Sequence, residues 1–143
     1  MADRQVIADF ARSMGIATSG LRAQAGRMRV ISENIANADS TASTAGGDPY
    51  RRKVPTFASA LDRTLGAQVV SLGRVKSDPT AFRVKHDPGN PAADASGNVK
   101  YPNVNPLIEM TDMREAQRSY EANLNVITAT RRMISLTLNI LKS

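Results

Sequence analysis

The fold of this chain is decided by two matching stretches, IADFARSMGIATSGLRAQAGRMRVISENI at residues 7–35 and MREAQRSYEANLNVITATRRMISLTLNIL at residues 113–141. In both, largely apolar residues recur at alternating steps of three and four, which draws a stripe along one side of an α-helix. The first stripe is Ile7, Phe10, Met14, Ala17, Leu21, Gln24, Met28, Ile31 and Ile35. The second is Met113, Gln117, Tyr120, Leu124, Ile127, Arg131, Ile134, Leu138 and Leu141. We predict two long helices packed as a coiled-coil-like pair.

The prolines separate these helices from the middle of the chain. All seven lie within residues 49–106, so both terminal segments lack the residue that breaks helix interiors. Asn105 is a good N-cap, and the proline that follows it suits the first helical position. The sequence predicts a mainly α fold with a small β region, in which residues 1–37 and 106–143 form a terminal helical domain.

The middle region, residues 38–105, is predicted to contain a β-hairpin and loops rich in Pro and Gly. Residues 68–75 and 81–85 are rich in Val and Phe, and the turn sequence KSDP at 76–79 separates them. This pattern predicts a hairpin. The run DPGNP at 87–91 predicts a loop with a defined backbone path.

The composition argues against an enzyme. There is no Cys and His86 is the only His, so we predict no metal site, and no nucleophile, phosphate-binding or dinucleotide motif is present. We predict no catalytic residue and no cofactor. The net charge of +6 leaves a non-specific basic nucleic-acid-binding helical protein as the alternative function. The basic residues are scattered and only 4% of residues are aromatic, whereas nucleic-acid binders gather basic residues and add stacking aromatics.

Five short stretches carry a family resemblance. LRAQ at 21–24 with SENIANAD at 32–39 resembles the N-terminal signature of bacterial flagellar rod and hook proteins. DPGNPAAD at 87–94 with VKYPNV at 99–104, leading into RSYEANLNV at 118–126, resembles the proximal rod members of that family.

The resemblance implies a structural subunit that polymerises helically into the proximal rod of the flagellar basal body and transmits motor torque across the periplasm. It implies self-association and contacts with the rod proteins FlgB, FlgF and FlgG and the adaptor FliE, but no nucleic acid and no small-molecule substrate. It also implies passage through the flagellar type III export apparatus. Residues 1–5 show no basic segment leading into an apolar one, so we expect no Sec signal peptide.

The residues expected at subunit interfaces follow from the two stripes and the resemblance. They are Phe10, Met14, Leu21, Met28, Ile31, Asn34, Ile35, Asn37, Tyr120, Asn123, Leu124, Ile127, Ile134, Leu138 and Leu141. The stripes alone do not separate packing within one chain from packing between chains. The asparagines, with Asn125, either mark helix ends and solvated faces or form hydrogen bonds across subunits that fix the register.

The loop leading to the last helix is a second candidate contact. Its residues are Asp87, Pro88, Gly89, Asn90, Pro91, Pro102 and Asn103. It is either a contact arm or a rigid linker that returns the chain to the last helix.

Overall fold

The computed structural model describes residues 1–143, apart from the side chain of Ala2. The helices α1 (Ala2–Ala36) and α2 (Pro106–Lys142) begin and end within one residue of their predicted limits. Asn105 caps α2 as predicted, because its Oδ1 accepts a hydrogen bond from the Leu107 amide at 3.1 Å. The mainly α fold class with a small β region is confirmed. Neither helix of the described chain is long and apolar enough to cross a membrane.

Six short strands form three antiparallel pairs. The strands are β1 (Lys53–Val54), β2 (Phe57–Asp62), β3 (Ala67–Leu72), β4 (Lys76–Ser77), β5 (Arg83–His86) and β6 (Asn98–Tyr101). β1 pairs with β4, β2 with β3, and β5 with β6. In the longest pair, Phe57 lies opposite Leu72 and Asp62 opposite Ala67.

The predicted hairpin partners are wrong. The strand near residue 70 pairs with the segment before it, and β5 pairs with β6. Asp62 directs the β2–β3 turn, because its Oδ1 accepts hydrogen bonds from the amides of Thr64 at 2.8 Å and Leu65 at 3.1 Å. Gly66 completes the turn at φ 61°, a conformation that suits glycine. The KSDP segment instead pairs with residues 53–54.

The chain divides into two compact units. The hairpin unit comprises residues 1–27, 57–73 and 115–143, and the loop unit comprises residues 28–56 and 74–114. Each helix contributes residues to both units. The assignment of residues 1–37 and 106–143 to one terminal helical domain stays a prediction.

In the hairpin unit, α1 and α2 run antiparallel. Arg27 Nη2 lies 3.3 Å from Glu115 Oε2, and Asn123 packs over Gly20. A Cβ built on Gly20 lies 2.8 Å from Asn123 Nδ2, so the missing side chain allows the close approach.

The β2–β3 hairpin packs on α1 through two further glycines. Leu65 occupies the space that a side chain at Gly15 would need, and Leu72 Cδ2 lies 2.9 Å from a Cβ built on Gly26. Val70 N also donates a hydrogen bond of 3.2 Å to Ser19 Oγ.

In the loop unit, the largest fully buried side chains include both apolar and polar residues. They are Ile31, Asn34, Val99, Pro102, Val104 and Glu109. The β5–β6 pair places Val99 in this core.

Candidate functional site

The inward face of α2 in the hairpin unit differs from the predicted stripe. Its buried and half-buried residues are Ala116, Ser119, Tyr120, Asn123, Ile127, Thr130, Ile134 and Thr137. The prediction was right for Tyr120, Ile127 and Ile134. At the alternate positions the inward residue comes one place earlier, and Gln117, Leu124, Arg131 and Leu138 are exposed.

Small side chains explain this difference. Ala116 is completely buried and Thr130 is 5% exposed, whereas Leu124 is 46% exposed. Small residues at a helix contact let the two backbones approach closely. Gly20 is such a residue, because its missing side chain leaves room for Asn123. The predicted stripe therefore has the wrong register for packing within the chain. As contacts between subunits, Leu124 and Leu138 stay predictions.

The first helix follows its predicted stripe more closely. Phe10, Met14, Leu21, Met28 and Ile35 are half-buried and Ile31 is buried, whereas Ile7 is exposed. Their proposed contacts with other subunits also stay predictions.

An apolar groove lies between the ends of the two helices in the hairpin unit. It encloses about 250 Å³. Its lining residues are Asp3, Val6, Ile7, Phe10, Ala11, Met14, Ile134, Thr137, Leu138 and Leu141. Several of them remain exposed to solvent, including Ile7 and Leu141. An exposed apolar groove of this kind is typical of a surface that another molecule covers.

The loop unit is organised around a buried carboxylate. Glu109 is completely buried, and Arg52 Nε donates a hydrogen bond to its Oε1. Asn34, which is also completely buried, donates through Nδ2 to Glu109 Oε2 at 3.1 Å. The Lys53 amide in turn donates to Asn34 Oδ1 at 2.9 Å. The hydrogen bonds of Asn34 in this structure lie within its own chain, and its contact with another subunit stays a prediction.

Arg52 connects three carboxylates. Besides Glu109, its guanidinium lies 3.3 Å from Asp78 Oδ2 and 3.7 Å from Asp112 Oδ2. Burial by itself lowers the pKa of Arg52, but the hydrogen bonds and charges of Glu109 and Asp78 outweigh burial and raise it. Hydrogen bonds from Thr80, together with Arg52, hold the pKa of Asp78 below its usual value. The guanidinium therefore stays charged between its acidic partners.

Tyr50 closes the cluster. Its hydroxyl donates a hydrogen bond of 2.8 Å to Asn34 Oδ1. Burial, with the nearby charges of Glu33 and Glu109, raises the pKa of Tyr50 to about 12. We call Asn34, Tyr50, Arg52, Asp78 and Glu109 the polar cluster.

Two of the predicted loop contacts lie inside the loop unit. Pro102 is buried, and Asn103 Oδ1 accepts a hydrogen bond from the Arg52 amide at 2.8 Å. Asn103 Nδ2 donates to the Thr80 carbonyl at 3.1 Å. These two residues connect segments of their own chain, as a rigid linker would, and a contact of either residue with another subunit stays a prediction.

The tip of the loop is more accessible. Asp87, Pro88, Gly89 and Pro91 are exposed and Asn90 is half-buried. The Asn90 amide donates to the Asp87 carbonyl at 3.1 Å, which closes a turn. Whether the tip is a contact arm or a linker stays a prediction.

The remaining asparagines bond locally. Asn37 Nδ2 donates to the Glu33 carbonyl at 2.8 Å, and Asn123 Nδ2 donates to the Ser119 carbonyl at 3.1 Å. Asn125 is exposed. Contacts of these three residues with other subunits stay predictions.

Sequence reasoning missed the polar cluster. The sequence patterns do not single out Glu109, and Arg52 is one of the scattered basic residues. The available signal was the basic run Arg51–Lys53 directly after Tyr50, in a segment whose prolines fix its path. The described residues contain no group of three or more side chains suited to holding a metal ion, and His86 is exposed.

Two family models match this chain. The model described as flagella basal body rod protein matches residues 14–42. The model described as flagellar basal body rod FlgEFG protein C-terminal matches residues 95–140.

Curated relatives match nearly the whole chain. The flagellar basal-body rod protein FlgC of Agrobacterium fabrum is 56% identical over 128 residues, which cover 90% of this chain and 92% of that protein. FlgC of Salmonella typhimurium is 40% identical over 128 residues, covering 87% and 92%. FlgC of Bacillus subtilis is 37% identical over 143 residues, covering 90% and 95%. None of these matches supports the nucleic-acid alternative. The chain therefore belongs to the FlgC family of flagellar basal-body rod proteins.

Proposed function

We propose that this chain is a structural subunit of the proximal flagellar rod, where it polymerises helically and carries motor torque across the periplasm. The curated relatives are basal-body rod proteins, and their family is structural and not enzymatic. Long helices suit this role because they are stiff elements, and 37 residues of helix span about 55 Å.

The observation that supports assembly most strongly is the apolar surface of α2. Leu124, Val126, Met133, Leu136 and Ile140 are between 44% and 73% exposed. Exposed apolar side chains gathered on one helix are typical of a surface that another molecule covers. This part of α2 therefore has the character of a helix that neighbouring subunits cover.

We propose the same partners for this chain as the resemblance implies, namely further copies of itself, FlgB, FlgF, FlgG and FliE. The match of residues 95–140 to the model described as flagellar basal body rod FlgEFG protein C-terminal supports a related helix at the C-terminal end of this chain.

We also propose export through the flagellar type III apparatus. The hairpin unit combines residues 1–27 with residues 115–143, so it forms only when both ends of the chain are available. A chain with such a fold is suited to travel unfolded and to fold at its destination.

Complementation tests this function. In a strain that lacks the gene, we expect the wild-type chain to restore swimming and to be present in isolated basal bodies. Leu124→Asp should abolish swimming and incorporation into basal bodies while export continues. The substitution places a charge on an apolar surface that we expect neighbouring subunits to cover. Asn139→Asp adds the same charge at an exposed polar position and should be tolerated. Normal swimming of the Leu124→Asp strain would show that this face is not buried in the rod.

A further inference from the structure

We propose that copies of this chain join head to tail, with a ridge on α2 of one copy seated in the apolar groove of the next. This inference rests on the proposed function and names the surfaces that carry it. Both surfaces lie within the hairpin unit.

The ridge is a second stripe on α2, separate from the face that packs on α1. Its residues recur at alternating steps of four and three. They are Ala122, Val126, Ala129, Met133, Leu136 and Ile140, and all are exposed. The four large members are 44%, 53%, 57% and 73% exposed in chain order. A stripe with this spacing is suited to enter a groove between two helices.

The groove opens on a different flank of α2. Leu138 lines it, whereas Met133 belongs to the ridge. Five residues separate the two, which corresponds to about 140° around a helix with 3.6 residues per turn. One copy can therefore offer its ridge to one neighbour and its groove to another. Such a heterologous contact generates an open filament when its rotation does not close into a ring, and the rod of the proposed function requires a filament.

Size and charge favour a second copy as the occupant. The α2 side of the groove runs from Ile134 to Leu141 and is about 10 Å long, so it takes the Met133–Ile140 end of the longer ridge. Among the described residues that line the groove, Asp3 is the one that carries a charge. Arg132, which lies beside that end of the ridge, is exposed and has the opposite sign. The groove and this end of the ridge are therefore complementary in polarity and charge.

Disulfide cross-linking tests this contact directly, because the chain contains no cysteine. Val6 in the groove is 40% exposed and Met133 on the ridge is 53% exposed, so cysteine at either position should leave the fold intact. The double variant Val6→Cys with Met133→Cys should, in oxidised basal bodies, give a ladder of two or more linked copies on non-reducing gels.

The single variants are the controls. Each alone should give no linked copies, because a head-to-tail contact never brings identical positions together. The pair Val6→Cys with Glu121→Cys should also give none, because Glu121 is exposed on another flank of α2. Dimers from Met133→Cys alone would overturn the proposal by showing a symmetric contact, as would a double variant that gives no ladder.

The same preparation separates the two proposals. If the double variant swims and is present in basal bodies but forms no ladder, the proposed function stands and the ridge-in-groove contact is wrong. If the wild-type chain is missing from basal bodies, the proposed function itself fails.

Discussion

The two units of this chain differ in the kinds of side chain that they bury and expose. The loop unit buries a carboxylate and an asparagine completely and satisfies both with partners from its own residues. The hairpin unit leaves large apolar side chains of α2 exposed. Large apolar side chains of the loop unit, such as Leu107 and Ile108, are exposed as well. The difference therefore lies in the polar cluster, which is satisfied within one chain, whereas the apolar surface of α2 in the hairpin unit is suited to cover by neighbouring subunits. Substitutions in the first should therefore act on folding, and outward substitutions in the second should act on assembly.

The largest expected effect on stability is at Glu109. Glu109→Ala leaves Arg52 without its buried partner and should lower the free energy of unfolding of the loop unit by about 3–5 kcal/mol. Denaturant unfolding followed by circular dichroism measures this change.

Glu115→Ala is the matched control. Its carboxylate also pairs with an arginine, Arg27, but the Glu115 side chain is 67% exposed. Exposed pairs contribute about 0–1 kcal/mol. Equal effects of the two substitutions would break the contrast between the units.

A pair of neighbouring positions on α2 separates folding from assembly. Ile127 is half-buried and Leu124 is exposed. Ile127→Asp should cost several kcal/mol of stability, because it places a carboxylate against α1. Leu124→Asp should change the stability of the isolated chain by about 0.5 kcal/mol or less. Unfolding curves of the two purified variants measure the difference, and a Leu124→Asp chain as unstable as Ile127→Asp would contradict the observed register of α2.

Substitution of Gly15 by alanine should change stability in the direction opposite to the one usual in helices. Gly→Ala in a helix interior ordinarily stabilises by about 1 kcal/mol. Here a methyl group would meet Leu65 of the β2–β3 turn, so Gly15→Ala should destabilise the hairpin unit by about 1–2 kcal/mol through overpacking. Ser32→Ala, at an exposed position of α1, should be neutral or slightly stabilising. A gain in thermal stability from Gly15→Ala would show that the Leu65 side chain moves aside without cost.

A further expected effect is the dependence of stability on alkaline pH. The pKa of Tyr50 rises from 10.0 to about 12 on folding, so the folded state favours the neutral phenol. The stabilisation is complete below pH 10 and is lost as pH rises towards 12. Unfolding of the wild-type chain and of Tyr50→Phe should be compared from pH 9 to pH 12, where the wild-type chain should lose more stability. Parallel curves would remove Tyr50 from the polar cluster.

The sequence predicted the helices because their signals are local. The N-cap Asn105 and the absence of prolines from the interiors of both helices fix the limits, and heptad spacing identifies the stripes. Hydrophobicity places Leu124 and Leu138 inward, because leucine is more hydrophobic than the asparagine and the threonine that precede them at 123 and 137. The actual contact uses Ala116 and Thr130, whose small size matters only when a second helix is present.

The polar cluster could not be predicted because its members are distant in sequence. Asn34 and Glu109 are 75 positions apart, and neither has a neighbouring partner that signals burial. The hairpin pairing failed for a different reason. The turn after Asp62 depends on a side-chain hydrogen bond and on Gly66. The KSDP sequence carries a more conspicuous turn signal, which favours a hairpin at the wrong place.

Thiol labelling of Met133→Cys tests most directly the claim that neighbours complete the hairpin unit. The side chain at this position is 53% exposed in the single chain, so purified monomer should react rapidly with a maleimide. In isolated basal bodies we predict labelling at least about tenfold slower, since burial at an interface excludes the reagent and solvent. Denaturing the same basal bodies should restore the full signal and confirm that the subunit is present. Equal labelling rates in monomer and basal body would contradict the account.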